Sequence, residues 1–357
     1  MGLIALLICI PLSARADAGT PLMWAGLFHM VLGNAVIGIF EGLILGWIFK
    51  LRKWFCALVM IPANYFSAWI GGLFLNREIT AALPFNLYNA WQWIWVMVFV
   101  TFLITLIFEW PFVLFCFRKE QNKFKKSILG NLLVNSLSYI LLFSWYWLAS
   151  GTALYTKMNI VQPSEISFPK NGLVYFISST NGVSKFDLST HQIQKICPLA
   201  ADRDDRLFVR ASTFETNSWD ILDSSKKTLI CSNLQVAAVS RWGDTNDPSR
   251  IEGTWFNFDY DKIPQLGIAE KSDWTFRTGF WPIEGFRGGN QKTGEKIYFS
   301  LETPFVAWIV RSATQLPGDD VIFQLGDDQI CLLEPSTKKI ALLVRGQGPV
   351  VVLPKEK

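Results

Sequence analysis

The sequence predicts an α-helical membrane bundle in its first half and an all-β domain outside the cytoplasm in its second. Three observations carry that reading. Hydrophobic residues make up 51% of the chain and charged residues only 17%. The long apolar runs are confined to residues 1–150. Residues 157–357 distribute Asp, Lys, Ser and Gly throughout, as an ordinary water-facing domain does. With 28 Phe and 16 Trp besides, the composition excludes a wholly soluble globular protein. The formal charge of +4 has no Lys/Arg-rich stripe behind it, so nucleic acid is excluded as a partner.

The first stretch, MGLIALLICIPLSARADAG, has an apolar core of roughly ten residues, too short for the ~20 needed to span a bilayer. Pro11 and then Ala14-Arg15-Ala16 follow, the small-x-small pattern of a signal-peptidase site. Residues 1–16 are therefore expected to be a signal peptide, with an uncleaved anchor as the alternative. Four apolar segments, near residues 22–49, 54–75, 90–117 and 128–149, make a transmembrane domain of residues 17–150. Lys50, Arg52 and Lys53 fill the first turn, and Arg118, Lys119, Lys123, Lys125 and Lys126 the third. The second turn offers only Arg77 against Glu78. Positive charge marks the cytoplasmic side, which puts residues 151–357 on the outer face of a bacterial cytoplasmic (inner) membrane. Trp91, Trp93, Trp95, Trp145 and Trp147 fall near the outer helix ends and read as interfacial anchors.

The run GNAVIGIFEGLILGWIFKLRK carries an acid, Glu41, near its middle. Lys50 lies nine residues on, so at 1.5 Å rise per residue the carboxyl sits roughly 13 Å deep, where it needs a partner, a proton or a task. Gly38, Gly42 and Gly46 recur every fourth residue, as do Ala63, Ser67 and Gly71, and such stripes let helix backbones approach closely. The pattern then recurs. Ile39-Phe40-Glu41 precedes Phe49-Lys50 at the spacing by which Ile107-Phe108-Glu109 precedes Phe117-Arg118. The returning segments carry Asn64-x-x-Ser67 and Asn135-x-x-Ser138. Two helical hairpins in parallel repeat are the expectation. Pro111 is expected to kink its helix and free a carbonyl. The intramembrane polar candidates are Glu41, Glu109, Asn34, Asn64, Asn131, Asn135 and His29. Either the acids pair with asparagines to fix helix register, or they relay a proton or cation. GNAVIGIFEGLI also resembles helices of metal-uptake membrane components of the energy-coupling type. The Met-His metal-binding element of that family is missing, so its function is not carried over.

After a linker of residues 151–168, residues 169–357 repeat a strand, turn, strand pattern. LVYFISSTNGVSKFDLSTHQIQKI matches VIFQLGDDQICLLEPSTKKIALL, with Asp187-Leu-Ser-Thr-His aligned on Glu334-Pro-Ser-Thr-Lys. WDILDSSKKTLI around Asp223 is a weaker copy. In these tight turns between outer strands the domain resembles β-propeller blades, and the resemblance implies four or five of them. The middle, residues 241–294, departs from the pattern and leaves a β-sandwich open as the alternative.

The β domain carries no H-E-x-x-H, G-x-S-x-G, P-loop or paired C-x-x-C. Cys197, Cys231 and Cys331 each follow Ile in a strand, and Cys197 with Cys231 is a candidate disulfide. Asp244, Asn246 and Asp247 cluster without the Gly and distal Glu of a helix-loop-helix calcium site. No catalytic, cofactor or metal residues are assigned. The leading expectation is a non-enzymatic, membrane-anchored protein whose β domain binds a protein, peptide or envelope component. The alternative is a small transporter or proton-coupled unit using Glu41 and Glu109.

Overall fold

The computed structural model describes residues 19–71, 83–169, 171–178, 182–202, 205–212, 218–223, 228–240, 263, 265–266, 272–279 and 282–355. The expected signal peptide, the Arg77/Glu78 turn and the acidic turn at 243–250 lie outside the described residues. The chain divides into two compact units, a helical one made of Met1–Gly151 with Thr303–Val306 and a β unit made of Thr152–Glu302 and Ala307–Lys357.

The helical unit contains α1 (Pro21–Ile48), α2 (Lys53–Trp69), α3 (Ala90–Cys116) and α4 (Lys123–Ala149). Among the described residues, three of these, α1, α3 and α4, are long and apolar enough to cross a membrane. The expectation of four is corrected to three: the described α-helix of α2 has 17 residues, short of the ~20 a bilayer asks for. Thr20 starts α1, its hydroxyl accepting from the Met23 amide at 3.2 Å, with Pro21 at the first helical position, where no N–H is missed. A π-helical turn, His29–Gly33, interrupts α1 and was not foreseen. Its loosened carbonyls find donors: Met30 accepts from Asn34 Nδ2 and Trp69 Nε1, both at 3.4 Å, and Val31 from the Tyr65 hydroxyl. Helix α3 continues through Pro111, which has no N–H to give the Ile107 carbonyl.

The glycine stripe sets the contact of α1 with α2. A Cβ on Gly42 would stand 2.3 Å from the Ala57 Cα, and one on Gly38 or Gly46 2.6 Å from the Cα of Ile61 or Lys53. Gly71 of the second stripe has open space where a Cβ would go. The core below comprises Leu45, Cys56, Met60, Ala63, Val113, Cys116, Phe117 and Val134. The two basic turns meet at one end: Arg118 lies 4.6 Å from the Phe55 ring centroid, beside the first turn, and 4.4 Å from that of Phe115. Tryptophans gather elsewhere, with Trp91 packed edge-on against both Trp95 and Trp147.

In the β unit the strands are β1 (Asn159–Ile160), β2 (Leu173–Ser178), β3 (Gly182–Asp187), β4 (Ile193–Cys197), β5 (Leu207–Ala211), β6 (Trp219–Asp223), β7 (Leu229–Leu234), β8 (Val236–Val239), β9 (Trp274–Thr278), β10 (Phe286–Asn290), β11 (Lys296–Phe299), β12 (Leu301–Glu302), β13 (Ala307–Trp308), β14 (Val310–Gln315), β15 (Val321–Leu325), β16 (Gln329–Glu334), β17 (Lys339–Arg345) and β18 (Gln347–Pro354). The matched segments form antiparallel meanders, β2-β3-β4 and β15-β16-β17. Their turns are alike: Asp187 Oδ1 accepts from the Ser189 hydroxyl at 2.6 Å and amide at 2.8 Å, Glu334 Oε2 accepts from the Thr337 hydroxyl at 2.5 Å, and the residues His191 and Lys338 take left-handed φ of 58° and 54°.

The propeller expectation fails among the described residues, where no closed propeller or barrel forms. Blades would be separate, similar sheets around a channel. Instead the sheets have five, three, two, five and three strands. The last strand, β18, runs between β2 and β8, and β1 adds to β17 in parallel. The two five-stranded sheets share one apolar core that holds Val174, Phe176, Phe186, Ile322, Leu332 and Val351. Local hairpin repetition is present, but the final strand ties its sheet together across the chain. Cys197, Cys231 and Cys331 are free thiols, so the candidate disulfide is not formed. Burial pushes the Cys331 thiol up, as suits an inert core residue.

Candidate functional site

The sharpest departure from ordinary packing lies inside the helical unit. Glu41 on α1 and Glu109 on α3 are both 0% exposed, and a buried carboxyl is costly unless it is paired, neutral or in use. The glycine contact of α1 with α2 brings Asn64 within 2.6 Å of Glu41, its Nδ2 donating to Oε2. Three residues further along α2, on the same face, Ser67 Oγ donates to Glu109 Oε1 at 2.6 Å. From α4, Ser138 lies near Glu41 and Asn135 near Glu109, in neither case within a hydrogen bond. One oxygen of each acid, Glu41 Oε1 and Glu109 Oε2, is buried and has no hydrogen-bond partner.

The asparagines and serines are held by their own helices. Asn64 Nδ2 also donates to the Met60 carbonyl and Asn135 Nδ2 to the Asn131 carbonyl, each at 3.1 Å. Ser67 Oγ reaches the Asn64 carbonyl at 3.2 Å, and Ser138 Oγ the Asn135 carbonyl at 3.1 Å. Asn131 supports this floor, accepting from Asn135 Nδ2 at 3.1 Å and donating to the Leu106 carbonyl of α3 at 2.8 Å. A second polar line adjoins the acids: the Thr105 and Tyr139 hydroxyls are 2.9 Å apart, Thr105 donates to the Thr101 carbonyl at 3.0 Å, and Tyr139 lies within electrostatic range of both carboxyls.

Of the seven residues singled out from sequence, Glu41, Glu109, Asn64 and Asn135 thus converge, with Asn131 beneath them. Asn34 and His29 stand apart. Asn34 is two turns from Glu41 along α1, roughly 10 Å, and His29 Nδ1 pairs with the Tyr146 hydroxyl at 2.6 Å. Sequence reasoning did not place Ser67, Ser138, Tyr139 or Tyr146 among the candidates. For the two serines the signal was present, since N-x-x-S puts both side chains on one helical face.

Among the described residues no group of three or more His, Cys, Asp and Glu is placed to hold a metal ion. What the arrangement can do is bind and release a proton at either acid, or hold the helices in register through neutral hydrogen bonds. No family model matches the sequence, and no curated protein matches it either.

Proposed function

We propose that the protein is a multi-pass component of a bacterial cytoplasmic membrane whose helical unit works as a small proton-coupled device through Glu41 and Glu109. In this reading residues 1–16 are a signal peptide, the helical unit lies in the bilayer, the basic turns face the cytoplasm and the β unit lies outside. There the β unit binds a protein, peptide or envelope component. The observation that carries the proposal is the pair of fully buried carboxyls on different helices, each with one oxygen held and one left without a partner. A purely structural acid would be expected to have both oxygens satisfied, because an orphaned buried polar atom costs roughly 1–3 kcal/mol. The passive-anchor reading draws its support from the Asn64 and Ser67 hydrogen bonds, which hold both acids firmly.

The test is a pair of assays on Glu41→Gln and Glu109→Gln. An amide keeps the hydrogen bonds but carries no dissociable proton. The proposal expects both variants to melt in detergent as the parent does and to fail to complement a deletion strain. Full complementation by both would overturn it in favour of the anchor.

A further inference from the structure

We propose that Glu41 and Glu109 are one composite site that holds a single proton between two equivalent carboxyls, clamped across the two hairpins. This deepens the proton-coupled reading and rests on it. The argument begins with the pattern of contacts. Exchanging the α1–α2 hairpin for the α3–α4 hairpin carries Glu41 onto Glu109, Asn64 onto Asn135 and Ser67 onto Ser138. The neighbours of the acids then fall on one another: each acid has the asparagine of its own hairpin and the serine of the other beside it, hydrogen-bonded from α2 through Asn64 and Ser67 and approached more loosely from α4, while Asn131 maps onto Met60 and its side-chain bonds have no counterpart. The backbone anchors follow the same exchange, Met60 to Asn131 and Asn64 to Asn135. Phe49 and Phe117 meet across the same exchange with ring centroids 5.0 Å apart.

The two acids have the same kinds of neighbour and are held from one face of α2 by side chains three residues apart, so they share one pocket. They also feel each other's charge, and among the described residues Tyr139 of α4 is the further titratable side chain bearing on them. Two like charges in one desolvated pocket cannot both form cheaply, so loss of the first proton opposes loss of the second. The orphaned oxygens, Glu41 Oε1 and Glu109 Oε2, are the atoms left to carry the proton. The crossed serines make the pair a joint property of both hairpins, so movement of one hairpin against the other alters both acids together.

Infrared titration of the carboxylic C=O absorption in the full-length protein in lipid nanodiscs reads this directly, from about pH 4 to about pH 10. The parent should release its two protons in two steps, with dissociation constants differing by far more than the roughly fourfold ratio of two independent, equivalent sites. E41Q and E109Q should each show one step at a common midpoint, close to the parent's first step and well below its second. In those single-acid backgrounds, S67A should shift the remaining Glu109 and S138A the remaining Glu41. Two parental steps within the fourfold ratio, at the midpoints of the single variants, would overturn the composite site and leave the proton reading standing. A parental spectrum without any pH-dependent carboxyl band that the double Gln variant removes would overturn both.

Discussion

The helical and β units solve opposite burial problems. In the helical unit the surface is apolar, with Trp47 71%, Leu148 70% and Ile107 67% exposed, while Glu41, Glu109, Asn64, Asn135, Ser67 and Ser138 are buried. Among the described residues of the β unit only Ile193, Leu229 and Tyr298 are exposed large hydrophobics, and the interior holds Phe276, Phe286, Phe299 and Phe323. The difference teaches that the helical unit is built for a medium that rewards apolar surface and leaves backbone approach and hydrogen bonds to join helices. The β unit is built for water, where apolar burial itself drives packing.

Deleting the same kind of side chain in the two units is the strongest way to break that contrast. Phe323 packs edge-on against Phe286 and Phe299, with centroids 5.3 and 4.9 Å away. Phe323→Ala should cost the β unit about 3–5 kcal/mol in denaturant unfolding, whereas Ile107→Ala on the exposed face of α3 should leave detergent stability almost unchanged. Comparable losses from both would contradict the inversion. Next in size is the glycine seam. Gly42→Val collides with the Ala57 backbone and should destabilise the bundle by about 1–3 kcal/mol, while Gly26→Val, with open space at its Cβ, should be neutral in a detergent melt. Ser67→Ala removes one interhelical hydrogen bond and should cost roughly 0.6 kcal/mol, the usual scale for such bonds in lipid.

A pH effect belongs to the β unit. Burial, and then the charges of Glu334 and Asp319, push the Asp320 carboxyl up to about 7. Its folded value lies above the unfolded one, so folding takes up a proton between the two. The associated stability is present at acid pH and is lost as pH rises through about 7. The melting temperature of the β transition should therefore fall from about pH 5 to about pH 8, and Asp320→Asn should flatten the slope. An unchanged slope in the variant would assign the dependence to another group.

Much of this was legible in the sequence. Glu41 stood out because an acid within an apolar run is conspicuous, and repetition of Phe-Glu and N-x-x-S pointed to Glu109, Asn64 and Asn135. The crossing of Ser67 and Ser138 to the opposite acid was not legible, because it depends on how two hairpins pack. The π turn at His29–Gly33 was invisible for a similar reason: its freed carbonyls are satisfied by Tyr65 and Trp69 of another helix. In the β unit the turns at Asp187 and Glu334 were readable from local chemistry, but the partners of β18 were not. Its apolar run Val350–Leu353 fits a buried strand of any sheet, and only the fold sets it between β2 and β8.

The proposed topology puts the helical unit in the bilayer, its basic turns in the cytoplasm and the β unit outside. Gln121, in the third turn, and Thr190, in the Asp187 turn, are both exposed. With the native cysteines replaced by serine, single Gln121→Cys and Thr190→Cys variants can be treated in intact cells with a membrane-impermeant maleimide. Thr190→Cys should label before lysis and Gln121→Cys only after it. Labelling of Gln121→Cys in intact cells, with Thr190→Cys protected, would contradict it.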